Sequence, residues 1–256
     1  MNKLTLTESP IKLDGFNNLN KTLRFNMYDF CVTRNEQEMK DYTSYIYKKF
    51  NAKTVTKMLS GVCEIIEANI LAVSDQDYDP WGSSSLVLMS DIKGSGINDV
   101  KMHLDKSHIC SHTYPDFRAK ENVSSFRIDI DVSTCGEISP LLAVNYLLNE
   151  VNPDIIVCDY FVRGSTRDAS GNLIFMDHDI SSIQNYINKE ILKNYHCLDL
   201  LLPSVNIWQT KMLRTNIEQH SLFIDKTTIN KIKSHEDIES IEKVKKEMLS
   251  VFNMIP

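Results

Sequence analysis

The sequence contains no Cys-x-x-Cys pair. Its six cysteines, Cys31, Cys63, Cys110, Cys135, Cys158 and Cys197, are scattered, which argues against a zinc ribbon or redox dithiol and favours reduced thiols. It lacks a basic excess: a net charge of −6 and a pI near 5.7 weigh against nucleic acid, whose phosphates require clustered Lys and Arg. The N-terminal MNKLTLTESPIKLDGF has no apolar signal core, and no run is long enough to span a bilayer. There is no internal repeat and no low-complexity tract. A soluble, cytoplasmic protein is expected, without nucleic-acid or membrane partner, and its 256 residues can bury a core without a disulfide or metal staple.

What the sequence does have is a mixture of strand and helix patterns that does not alternate regularly. TLRFNMYDFCV, ANILAVS, SLVLMSD, FRIDIDVST, DIIVCDYFVRG and NLIFMD are short, β-branched and aromatic runs separated by turn signals. In FRIDIDVS, Phe126, Ile128, Ile130 and Val132 share one face, and Arg127, Asp129, Asp131 and Ser133 the other, as in a strand covered on one side. Helical spacing marks EQEMKDYTSYIYKKF, TVTKMLSGVCEIIE, SPLLAVNYLLNEV, SSIQNYINKEILKNY and EDIESIEKVKKEMLSVF, the third with Ser139 as N-cap and Pro140 at its first position. The pattern predicts one α+β unit over residues 1–256: a largely antiparallel sheet with helices packed on one face.

The densest chemistry lies in HLDKSHICSHTYPD, His103 to Asp116. As a strand it places His108, Cys110 and His112 on one face and Ser107, Ile109, Ser111 and Thr113 on the other. Three ligand types on one face suggest a metal, but two-residue spacing splays them and no fourth ligand is near. MDHD, Met176 to Asp179, reads as a polar turn. Ser–His hydrolysis lacks a G-x-S-x-G elbow, and Cys–His hydrolysis through Cys135 is no better supported, since a strand end, turn and helix cap account for VSTCGEISP. A remaining reading makes Lys106–Ser107 a bond that the protein itself breaks. The Ser107 hydroxyl would attack the preceding carbonyl, and loss of the seryl Cα proton would then expel the ester. The residue left hydrolyses to ammonia and a pyruvoyl group, with an imidazole carrying protons. The odd offset between Ser107 and His112 then demands a turn or bulge near the bond.

The blocks LDKSHICSHTYP, STCGEISPL, DYFVRGSTRD and HDISSIQNYINKEI resemble those of bacterial S-adenosylmethionine decarboxylases of the long Gram-negative, pyruvoyl form. KLDGFNNLNKTLRFNMYDFC, LSGVCEIIEANILAVSDQDYDPWGSSS and NIWQTKML extend the resemblance from about Leu13 to Leu213. It implies cleavage between Lys106 and Ser107 into a β chain of residues 1–106 and an α chain of residues 107–256. It further implies Ser107 as the pyruvoyl group forming a Schiff base with the substrate, His112 as the proton-transfer residue of processing, and Cys135 as proton donor in decarboxylation. Asp116 stands where the family pattern carries glutamate and is implied as a ribose ligand. Phe16, Phe25, Tyr28, Phe30 and Tyr114 could offer faces to an adenine or sulfonium, or simply fill the core. Mg²⁺ dependence, a homo-oligomer of αβ units and a product used as the aminopropyl donor in spermidine synthesis complete what the resemblance implies. A pyruvoyl decarboxylase for arginine or ornithine, and a non-catalytic relative on the same scaffold, are the competing readings. An inactive relative has no chemical reason to keep Ser107, His112 and Cys135 together.

Overall fold

The structure, a computed structural model, describes residues 18–90, 107–118, 122–135, 138–216 and 235–255. The elements of the main sheet and its helices are β1 (Asn20–Val32), α1 (Glu36–Phe50), α2 (Ala52–Ile65), β2 (Asn69–Asp77), β3 (Ser83–Ser90), β4 (His108–Arg118), β5 (Val123–Cys135), α3 (Val144–Val151) and β6 (Ile155–Arg163). A two-strand ribbon, β7 (Thr166–Arg167) and β8 (Leu173–Ile174), follows, then the single turn α4 (Lys189–Leu192), β9 (Tyr195–Leu202), β10 (Ile207–Arg214) and the C-terminal helix α5 (His235–Asn253). Eight strands pair antiparallel in the order β2-β3-β4-β5-β1-β6-β10-β9. The expected α+β architecture is present, and no helix among the described residues is long and apolar enough to cross a membrane.

Alternation decides the sheet's two faces. Leu23, Phe25 and Met27 of β1 stand beside Val132, Ile130 and Ile128 of β5, and all are buried against α1, α2 and α3 in one core. Each such side chain contributes about 1.5–3 kcal/mol by leaving water. The helices start where capping permits. The Asn35 side chain accepts from the Gln37 and Glu38 amides, and Asn51 closes α1 while its side chain accepts from Thr54 N at the start of α2.

Three expectations change. Ser139 makes no cap hydrogen bond, and the segment after it opens as a 3-10 turn, Pro140–Ala143, before α3. The expected long helix in SSIQNYINKEILKNY is only a 3-10 turn, Ile183–Tyr186, and α4, because Ser182 caps the Gln184 amide while its hydroxyl is drawn to Asp199 of β9 at 2.6 Å. Lastly, α1–α3 line one face as expected, but α5 lies across the other. Its Ile241, Val244, Met248 and Phe252 pack on Phe30, Val32, Val123 and Ile155 at the sheet end remote from Ser107. Phe252 O accepts from the buried Lys211 Nζ, which fastens the helix C-terminus.

Candidate active site

Ser107 immediately precedes β4 and is buried. Its carbonyl accepts from Met89 N on β3 at 3.1 Å, and its Oγ accepts from Cys135 N at 3.0 Å. Cys135 ends β5, and the register sets it opposite Asn20, the first residue of β1. The two residues most important to the sequence reading are therefore brought together from sequence positions 28 apart. Cys135 shares its face with Ser133, Asp131, Asp129 and Arg127, the side free of α1–α3. A pyruvoyl group derived from Ser107 fits these residues, since the position is enclosed at a strand start and has an N–H donor at hand. Lys106, the other half of the expected scissile bond, lies outside the described residues, as does Phe16.

His112 is not brought to Ser107 within the chain. β4 pairs with β3 and β5 without a register shift between His108 and His112, so the expected turn or bulge is absent from the described strand. Five residues of strand span roughly 16 Å, and the His112 side chain is exposed on the opposite face from the buried Ser107. Its strand neighbours are Ser84 and Asp129. Asp116 is farther still, nine residues along the same strand or roughly 30 Å from Ser107. His108, Cys110 and His112 do share a face, as alternation predicts. Cys110 is directed at Asp131 Oδ2, 4.0 Å away, and burial followed by that carboxylate pushes its thiol pKa up.

The open face is a ladder of cross-strand polar pairs. Arg24 Nε donates to Asp131 Oδ1 at 2.5 Å, Asn26 to Asp129 at 2.7 Å and Gln209 to Asp159 at 2.6 Å. The Arg127 guanidinium lies 4.2 Å over the Tyr114 ring. The hydrogen bond to Asp131 raises the Arg24 pKa, so this arginine is a fixed cation. Of the aromatic candidates, Phe25 and Phe30 are core residues, whereas Tyr28 and Tyr114 belong to this face.

Beneath it, on the helix side, lies a cluster that the sequence did not disclose. Lys21 is buried with its Nζ 2.5 Å from Asp177 Oδ2, and Asp177 Oδ1 is 2.8 Å from His178 Nδ1. Burial opposes ionisation of Asp177, but the His178 hydrogen bond and the Lys21 charge outweigh it and hold the carboxyl at about 2. MDHD is thus more than a polar turn. Its partner is 156 residues away, a distance no local pattern reveals. Lys21 and Thr134 are register partners, so the ion pair stands next to the strand end that carries Cys135. Mg²⁺ finds no cluster of three His, Cys, Asp or Glu side chains among the described residues that could hold it, and no step below uses it.

Residues 31–164 match the family model for S-adenosylmethionine decarboxylase. The chain is 41% identical over 263 residues to a Clostridium botulinum S-adenosylmethionine decarboxylase proenzyme, with 96% of each covered. It is 42% identical over 258 residues to the Pseudomonas aeruginosa protein of the same name, covering 96% of this chain and 97% of that one. Among solved structures, the Aquifex aeolicus adenosylmethionine decarboxylase overlaps with a TM-score of 0.35 at 17% identity, over 58% of this chain and 91% of that one. The chain belongs to the S-adenosylmethionine decarboxylase family.

Proposed function

We propose that this chain is a cytoplasmic proenzyme that cuts itself between Lys106 and Ser107 and then decarboxylates S-adenosylmethionine to the aminopropyl donor of spermidine synthesis. The observation that carries the reading is the meeting of Ser107 and Cys135 at one strand end, 3.0 Å from Oγ to backbone N, in a chain aligned nearly end to end with decarboxylase proenzymes. The single folded unit would become a β chain of residues 1–106 and an α chain of residues 107–256.

The Cys135 N–H donates to the Ser107 oxygen and holds it at the strand start, the atom that attacks the Lys106 carbonyl in this reading. The C–N bond is exchanged for an ester. Removal of the seryl Cα proton then expels the β chain carboxylate, and hydrolysis releases ammonia. The resulting pyruvoyl group supplies a carbonyl that takes the substrate amine and accepts the electrons released with carbon dioxide. Cys135 then gives its thiol proton to the substrate-derived carbon, a positioned general acid worth roughly 10²–10⁴ in rate. His112 is the proton carrier of self-cleavage in this reading. Because it lies about 16 Å along a regular strand from Ser107, that role requires a second copy to carry its His112 to the Ser107 end, which a homo-oligomer of αβ units would provide. Asp116 contacts substrate ribose only under the same condition.

Denaturing mass spectrometry should show two fragments, the larger beginning with a borohydride-reducible pyruvoyl group; folded protein of full length only would sink the reading. Carbon dioxide release, measured side by side from labelled S-adenosylmethionine, arginine and ornithine, should favour the first. Turnover of arginine or ornithine alone would keep the cleavage and replace the substrate.

A further inference from the structure

Asn20, Thr22 and Ser133 form a closed hydrogen-bond circuit whose one spare donor is directed at the Cys135 sulfur. With the Asn20 amide oxygen toward Thr22, Thr22 Oγ1 donates to Asn20 Oδ1 at 3.2 Å. Having given its proton there, Thr22 can only accept in its 3.3 Å contact with Ser133 Oγ, so Ser133 is the donor. Ser133 Oγ in turn accepts from Asn20 Nδ2 at 3.2 Å. Each hydroxyl thus gives and takes one bond, and the circuit closes. The amide nitrogen has two protons. The second is aimed at Cys135 Sγ, 3.6 Å away.

The register explains why these side chains meet. Asn20 is opposite Cys135, and Thr22 is opposite Ser133, so all four lie on the open face at the strand end that holds Ser107. Thr22 and Ser133 are buried, where loss of one partner leaves another unsatisfied. The circuit therefore resists rotation of the Asn20 amide.

We infer that Asn20 is a positioning residue for Cys135, held by Thr22 and Ser133, and that it governs where the thiol proton goes in the proposed decarboxylation. With an N–H approaching one sulfur lone pair, the S–H bond is turned away from Asn20. When the proton leaves Sγ for the substrate-derived carbon, whose electron pair forms the new C–H bond, the sulfur becomes anionic. The N–H bond to it is then charge-assisted and stronger than before transfer. Without the donor, correct protonation slows while misdirected protonation, which transaminates and inactivates the enzyme, does not. The inference rests on Cys135 being the proton donor.

The readout is turnovers per inactivation event for the processed enzyme with S-adenosylmethionine. Asn20→Ala should lower this number about tenfold, a fraction of a general acid's full value, with kcat falling and KM little changed. Asn20→Asp has the same size without the donor and should do likewise. Thr22→Val keeps the shape and removes the anchor, so it should shift the number in the same direction but less, and it stands in if the Asn20 variants fail to fold. Cys135→Ala is the reference, and adding Asn20→Ala to it should cause no further loss, because the amide acts through the thiol. If Cys135→Ala leaves turnovers per inactivation unchanged, the assignment of Cys135 fails and this inference with it. If Cys135→Ala lowers the number and the Asn20 and Thr22 variants do not, or if the double variant's losses multiply, Cys135 stands and the inference for Asn20 is overturned.

Discussion

The two faces of the sheet obey different physics. The face under α1–α3 is largely apolar and closed, and the ion pairs it holds, Lys21–Asp177 among them, are buried. The other face is covered by α5 at its far end; toward Ser107 it carries arginines, aspartates and amides paired across strands in reach of water, and it carries Cys135, His112 and Asp116. A single strand such as β5 serves both, because alternate residues face opposite ways. Away from the end that α5 covers, stability should therefore be sensitive on one side of each strand and chemistry on the other, with Ser107 as the exception, a buried residue at the edge where the two meet.

That exception makes the largest prediction. Ser107→Ala should remain a single uncut chain and lose all decarboxylase activity while keeping the native fold, as read by denaturing mass spectrometry and circular dichroism. His112→Ala, on the exposed face, should cut slowly or not at all, and its uncut chain should keep the native fold. Next comes the buried pair: Asp177→Leu leaves Lys21 charged without a partner and should cost about 3–5 kcal/mol in urea unfolding. Ile130→Ala should cost about 2–5 kcal/mol, whereas Arg24→Ala, one strand over but on the open face, should cost under about 1 kcal/mol. Equal losses for the last two would break the contrast between faces.

Acid provides a finer test. The folded carboxyl of Asp177 is at about 2, below an unfolded value near ~3.9. Its contribution is therefore complete above about pH 4 and is lost as the pH falls toward 2. Urea midpoints between pH 5 and pH 2.5 should fall in the parent and less steeply in Asp177→Leu. Parallel slopes would remove the ion pair as the acid-sensitive element of the core.

The alternation of FRIDIDVS, the caps and spacing of α1 and the shared face of His108, Cys110 and His112 were all legible because each depends on neighbours a few residues away. β9 was not. Its leucines, Leu198, Leu200 and Leu202, are exposed at the sheet edge, so the usual inside–outside contrast never forms, and helical spacing just before it suggested the wrong element. The candidate site was half legible: the Lys106–Ser107 bond was read from the residues and the role of Cys135 from the family resemblance, but the contact of Ser107 with Cys135 spans 28 residues. Asn20 reaches Cys135 across 115 residues and Lys21 reaches Asp177 across 156. Such partners are chosen by strand register, which no local window contains. The expectation that His112 turns back to Ser107 failed because β4 has no reason to bulge: Ile109 and Ser111 already fill the closed face with regular pairing.

The strand order bears on how a severed chain behaves. A cut before Ser107 leaves β1, β2 and β3 on one piece and β4, β5, β6, β9 and β10 on the other, yet β1 sits between β5 and β6, and β3 sits against β4. Neither piece can peel off as a layer, since the first would have to withdraw the middle strand of the second's sheet. The precursor finds its fold as one molecule, at a rate independent of dilution; the processed enzyme, once taken apart in denaturant, must rebuild the same sheet by collision between two chains. Cleavage in this topology leaves the native sheet whole but makes its recovery from complete unfolding a second-order event, and dilution should slow the refolding of processed enzyme while leaving that of Ser107→Ala untouched.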